Sequence, residues 1–181
     1  MAQSATPYHF KVTLSDVDRG VYEALDLRPA RHPSESLRYL LLRTLAYSLS
    51  YEPGIAFSKG GLSSVDEPPL NITDASGVLR AWIEVGSPSA ERLHKASKAA
   101  ERVLLYSAAE LQNLKQAASS RPIHRLDAIE VYRLEPSFLD RLEPEIQRTT
   151  TFELVRSSGV LYVTLWGKVH EATLENCRLT P

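Results

Sequence analysis

Residues 66–98 hold the side chains best suited to chemistry. Asp66 and Glu67 precede two prolines, Asp74 precedes the apolar run VLRAWIEV, Glu84 lies near the end of that run, and Lys95 and Lys98 follow in ERLHKASK. Carboxylates brought together from a loop and an adjacent strand bind a hard divalent cation such as Mg²⁺, which prefers oxygen donors. A nearby lysine can hold a water or offset phosphate charge in a metal-assisted displacement. In such a displacement a cation both neutralises the phosphate and acidifies the attacking water. Glu84 is the expected centre, with Asp66, Glu67 or Asp74 as the other acid.

A simpler arrangement uses the same residues. Glu84 on the solvent face of an amphipathic strand would pair with Arg80, two residues away on that face. Positions 91, 95, 98 and 102 hold Glu, Lys, Lys and Arg, the spacing of a solvated, salt-bridged helix face. Ion-pair networks imitate sites so often that the residues alone favour this arrangement. The chain has no nucleophile elbow, phosphate-binding glycine loop or metalloprotease helix. Gly60-Gly61 lacks the G-K-[ST] that would make it a phosphate loop. Histidines 9, 32, 94, 124 and 170 form no ligand-like pair, and the single cysteine, Cys177, excludes an intramolecular disulfide. A buried structural thiol is expected there.

The elements that would position these residues follow from periodicity. YHFKVTL (8–14) and VYEALDLR (21–28) alternate like a hairpin's strands. His32-Pro33-Ser34-Glu35 has the character of a helix N-terminus, and Leu37, Leu41, Thr44, Leu45 and Ser48 then share one face up to Pro53-Gly54. Residues 59–77 read as a long loop, a length more often functional than structural, with a strand near Leu70–Ile72. Residues 78–85 read as the clearest strand, with Arg80, Trp82 and Glu84 on one face. Ser87-Pro88 predicts the start of a helix over 88–100. A strand at 102–107, a helix at 109–118, a strand at 127–133 and a short helix at 136–143 follow. TTTFELVR, GVLYVTLW and KVHEATLENC then read as three antiparallel strands. This order implies an α+β class: one mixed sheet with flanking helices.

At 181 residues the chain fits a single domain over 1–181. A net charge of -1 rules out a global basic field for nucleic acid. The N-terminus lacks the basic and apolar regions of a secretory signal. No apolar run reaches the roughly 20 residues of a membrane helix. The expected address is the cytoplasm, with no membrane partner.

ARHPSE at 30–35, DEP at 66–68, WIEVG at 82–86, ERLHK at 91–95 and RTTTFEL near the tail resemble the signature blocks of the YaeQ family of bacterial proteins. The resemblance covers essentially the whole chain. It implies a variant of the PD-(D/E)XK nuclease-like (restriction-endonuclease-like) fold. Active members of that fold bind Mg²⁺ between an acid on one strand and an acid on the next, with a lysine two residues after the second acid. Glu84 matches the second acid. Gly86 stands where the lysine would be, and Lys95 on the following helix is its natural replacement. Pro69 stands where relatives carry an acid, which leaves Asp66, Glu67 and Asp74 for the first acid. Glu35 matches an extra metal partner. Two functions are implied. One is a Mg²⁺-dependent nuclease with Glu84, Lys95 and Asp66 catalytic and Arg38, Arg80, Arg92 and Lys98 on the backbone phosphates. The other is a catalytically inactive nuclease-fold protein that binds nucleic acid or a protein partner.

Overall fold

A computed structural model describes residues 4–59 and 66–180. The chain is α+β, with mixed sheets and four α-helices among the described residues. The opening hairpin is present as β2 (His9–Asp16) and β3 (Val21–Leu27), and two short strands, β1 (Thr6–Pro7) and β4 (Ala30–Arg31), pair beside it. Next come α1 (Leu37–Leu49), β5 (Ile55–Phe57), β6 (Leu70–Thr73), β7 (Leu79–Val85), α2 (Ala90–Ala99) and β8 (Arg102–Ser107). The chain continues through α3 (Leu111–Ala118), β9 (Glu130–Arg133), α4 (Pro136–Leu142), β10 (Thr149–Ser157), β11 (Val160–Leu165), β12 (Lys168–Thr173) and β13 (Glu175–Cys177).

The single mixed sheet expected from the sequence is two larger sheets. One has the order β12-β11-β10-β2-β3, and the other β13-β9-β8-β7-β6-β5. Local alternation cannot show that β10, still paired with β11, also pairs in parallel with β2 on its other edge, with Leu154 opposite Leu14. Likewise the last predicted strand breaks at Leu174, so β12 ends one sheet and β13 joins β9 in the other. Cys177, expected to be a buried thiol, is half-buried on that edge strand, where a neighbouring strand covers one side only.

α1 lies between the sheets, touching β7 and β8 on one side and β2 on the other, while α2 packs on the far side of β7 and β8 with α3 beside it. The two cores match this layering. Phe10, Leu14, Leu40, Leu41, Leu45, Ile83, Phe138 and Leu154 share the core around α1, and Trp82, Leu93, Leu105, Leu114 and Val131 share the core under α2 and α3. A helix covered by two sheets needs no polar face, so even Arg43, Thr44 and Ser48 are buried on α1. Thr44 and Ser48 satisfy their hydroxyls on the carbonyls of Leu40 and Thr44 at 2.8 and 3.0 Å.

Both predicted helix starts shift. Ser36, not the Pro33–Glu35 stretch, caps α1, its hydroxyl accepting from the amide of Tyr39 at 3.1 Å. Ser89, not Ser87, caps α2 by accepting from the amide of Arg92 at 3.2 Å. In each case a proline lies shortly before the cap, Pro33 before Ser36 and Pro88 before Ser89. Gly54 is required where the chain turns into β5. Its φ is +94°, and a Cβ there would lie 2.0 Å from the Thr73 carbonyl oxygen.

Candidate functional site

β7 and β8 run in parallel, with Glu84 opposite Leu105 and Val85 opposite Tyr106. Parallel strands need a crossover, and α2 supplies it, so β7 must turn sharply into the helix. Gly86 makes that turn at φ +89°, and its amide donates to the Tyr106 carbonyl at 2.8 Å. The carboxyl ends of such strands, beyond which helices begin, are where ligand crevices form. Two cavities of about 290 Å³ each meet there. One is bounded by Pro69, Glu84, Ser87 and Arg92, the other by Ser36, Arg38, Gly86 and Ser107, and Tyr39 and Ser87 line both.

Glu84 sits on the α2 face of β7 and is 2% exposed. Its Oε1 accepts from the indole Nε1 of Trp82 and lies against the Nε of Arg92, each at 2.6 Å. The Trp82 ring also lies under the Arg92 guanidinium, 5.8 Å from ring centroid to the guanidinium carbon. Burial pushes the Glu84 carboxyl above its ordinary value, and the charge of Arg92 pulls it back. Tyr39, near the start of α1, is pushed upward by burial first and by the Glu84 charge second. Sequence spacing left Glu84 exposed and paired with Arg80. The structure buries it because α2 covers that face of β7.

Arg92 also joins Glu84 to the preceding loop, its Nη2 donating to the Glu67 carbonyl at 2.8 Å. One turn on, Lys95 pairs with Asp66, whose carboxyl that contact holds below its ordinary value. So α2 gathers Glu84, Glu67 and Asp66, three of the residues singled out from the sequence. The helix-face pairing of Glu91 with Lys95 gives way to this longer-range contact. Arg102 lies on β8, outside the helix, facing Glu52 and Glu130 at 3.6 and 3.5 Å.

Other expected members lie elsewhere. Asp74 shapes the turn from β6 to β7. Its Oδ1 accepts from the hydroxyl and amide of Ser76 and the amide of Val78 at 2.6, 2.9 and 3.0 Å, and its Oδ2 from Arg80. These bonds, led by the Ser76 hydroxyl, hold its carboxyl far below the usual range. Thr73 pairs with Leu79, so Asp74 is at the opposite end of β7 from Glu84, roughly 16 Å along the strand. Arg80 shares that end with Asp74 and Glu101. Lys98 is exposed in the last turn of α2, also away from the cleft. Arg38 does border the cleft, where it pairs with Asp140 and donates to the Pro136 carbonyl at 3.0 Å. Glu35 is buried against Arg43 at 3.0 Å and accepts from the His32 amide at 3.0 Å. Gly60-Gly61 lie outside the described residues.

As arranged, these carboxylates do not converge on one cation. Among the described residues no three His, Cys, Asp or Glu side chains are grouped to hold a metal ion. A guanidinium stands between Glu84 and the Asp66–Glu67 loop. Sequence reasoning missed Trp82 and Tyr39 as members of the site. Trp82 carried a signal, two residues before Glu84 on one strand face. Tyr39 carried none, since only the tertiary fold brings α1 to the end of β7.

The fold and site define an α+β protein with a buried, guanidinium-paired glutamate at the carboxyl ends of its parallel strands. The YaeQ protein family model matches residues 1–174, and the chain belongs to that family. It is 30% identical over 165 residues to the YaeQ protein of Escherichia coli (strain K12), covering 90% of each chain, and equally identical to that of Salmonella typhi. Crystal structures of YaeQ proteins from Pseudomonas syringae and Xanthomonas axonopodis pv. citri superpose with TM-scores of 0.86 each. They are 33% and 28% identical over 97% of this chain and 97% and 99% of theirs. Among the described residues no helix is long and apolar enough to cross a membrane.

Proposed function

We propose that the chain is a PD-(D/E)XK-like protein, working as one cytoplasmic domain, that holds the phosphodiester backbone of nucleic acid without cutting it. The observation that carries this reading is the Arg92–Glu84 pair. The acid that matches the metal-binding position is already neutralised by a guanidinium at 2.6 Å. Surrounding groups suit an anion. Ser36, Ser87 and Ser107 offer hydroxyls, Arg38 offers a guanidinium, and the first residues of α1 line the cleft.

A Mg²⁺-dependent phosphodiesterase is the second reading. It is favoured by the exposure of the Lys95–Asp66 pair, 42% and 84% by side chain, beside the carboxylate of Glu84. In that reading Arg92 must leave Glu84 before Asp66, Glu67 and Glu84 can share a cation.

Fluorescence anisotropy with labelled single- and double-stranded DNA and RNA tests the binding reading. Affinity should fall steeply with salt, as backbone contacts require. Arg38→Gln and Lys95→Gln should each weaken it several-fold. Absence of binding at low salt to all four nucleic acids would overturn it.

A further inference from the structure

A larger cavity, about 380 Å³, opens elsewhere on the molecule and shares no lining residue with the Glu84 cleft. It lies where β4 and the residues before it meet the end of β5. Arg28, His32, Arg43, Phe57, Ser58 and Lys59 bring its side-chain chemistry. Three of these are permanent cations, and among the described residues no acid lines the cavity.

Arg43 is the unusual member. It is 2% exposed, an unfavourable place for a charge without full compensation. Its Nη2 donates to the Ala30 carbonyl at 3.0 Å and to Glu35 at 3.1 Å, and its guanidinium covers the Phe57 ring at 5.4 Å. Among the described residues its Nε has no hydrogen-bond partner, and neither has the buried Ser58 hydroxyl. Both residues line the same cavity. Buried donors left unpaired are rare, so an acceptor brought to them would be favoured.

The remaining groups continue this pattern. The amide of Ser34 donates to Nδ1 of His32 at 3.2 Å, and the Ser34 hydroxyl lies 2.6 Å from the same nitrogen. With Nδ1 accepting, the neutral ring carries its proton on Nε2, a further donor. Arg28 is exposed at the rim, where Asp26 holds it at 3.1 Å, and Lys59 is exposed beside Ser58. A carboxylate has two oxygens and one charge, too few for this set. A phosphate monoester offers three terminal oxygens and up to two charges. The cavity volume exceeds that of a phosphate group and leaves room for a small organic part against Phe57.

We propose that the Arg43–Ser58 cavity is a second site, independent of the Glu84 cleft, that binds the phosphate group of a phosphate monoester. Isothermal titration with inorganic phosphate tests it. Ser58→Ala and the double substitution Arg28→Gln, Lys59→Gln remove donors without touching the Arg43–Glu35 pair. Denaturation midpoints measured without phosphate verify that both variants fold. Saturable binding in the wild type, weakened about tenfold or more in each variant, is the expected result. Absence of saturation, or variants that bind like wild type, would overturn the proposal. Two further ligands separate the sources of the phosphate. A mononucleotide that binds, with no preference for a 5′-phosphorylated over a 5′-hydroxyl oligonucleotide, supports a small metabolite. A preference for the 5′-phosphorylated oligonucleotide supports a nucleic-acid end. Loss of phosphate binding in these variants with oligonucleotide binding retained would separate this site from the Glu84 cleft.

Discussion

Nε of Arg92 lies 2.6 Å from Oε1 of Glu84, inside a pocket closed by the Trp82 indole, and Nη2 of the same guanidinium reaches the Glu67 carbonyl. One arginine thus neutralises the buried acid of β7 and fastens the loop before β6 to α2. Stability and ligand preference should both depend on that contact.

Removing Arg92 should cost more than removing the charge of Glu84. Arg92→Ala leaves a carboxylate that is 2% exposed without its counter-charge, for which about 2–4 kcal/mol is expected. Glu84→Gln keeps an acceptor for the Trp82 indole and leaves Arg92 with the Glu67 carbonyl, so about 1 kcal/mol is expected. Chemical denaturation of both variants near neutral pH checks the order.

The pH dependence of that difference has a definite sign. Burial raises the folded-state carboxyl of Glu84 above its ordinary value of 4.5. The folded protein therefore holds this proton more tightly than the unfolded chain. The contribution is fully present below 4.5 and lost as pH rises through the folded value. Wild type should lose stability relative to Glu84→Gln over that interval. Asp74 has the opposite sign, because its hydrogen bonds depress the folded value below 3.8. Its contribution is present above 3.8 and disappears as pH falls further. Denaturation midpoints of Glu84→Gln and Asp74→Ala from acid to neutral pH should diverge from wild type in opposite directions.

Asp74 should behave as a turn residue. Asp74→Ala removes the acceptor for two amides and a hydroxyl between β6 and β7 and should lower Tm. Asp74→Asn keeps the Oδ1 acceptor and should recover part of the loss. Neither change should alter nucleic-acid affinity, since the turn is at the far end of β7.

The buried pair of Arg43 on α1 with Glu35, just before the helix, makes a third stability test. Arg43 and Glu35 are 2% and 0% exposed by side chain. Glu35→Ala alone leaves a buried guanidinium and should cost about 3–5 kcal/mol, whereas Glu35→Leu with Arg43→Met should cost far less. A double-mutant cycle by urea denaturation measures the coupling.

Much of this architecture was legible in local pattern. The β2 alternation buries what its period predicts, whereas α1 and β7 exist where the pattern puts them but are buried on more than the predicted face. Partners in space were not legible. No spacing rule reveals that β10 crosses to β2, or that two sheets enclose α1. The site divides in the same way. Glu84, Asp66, Glu67, Lys95 and Arg92 stand out by type and do gather, because one helix after one strand must bring them together. Asp74 stands out equally by type yet lies at the wrong end, since a hairpin turn, not sequence distance, sets its position. Trp82 and Tyr39 are missed because an indole donor or a phenol in a core resembles ordinary packing until the carboxylate beside it is seen.

The most direct test incubates purified protein with labelled single- and double-stranded DNA and RNA, with Mg²⁺ or Mn²⁺, following binding and cleavage in the same samples. Salt-sensitive binding with no cleavage under either metal is the predicted result. Metal-dependent cleavage abolished by Glu84→Gln and by Lys95→Ala would contradict it, and would show that Arg92 yields its place on Glu84 to a cation.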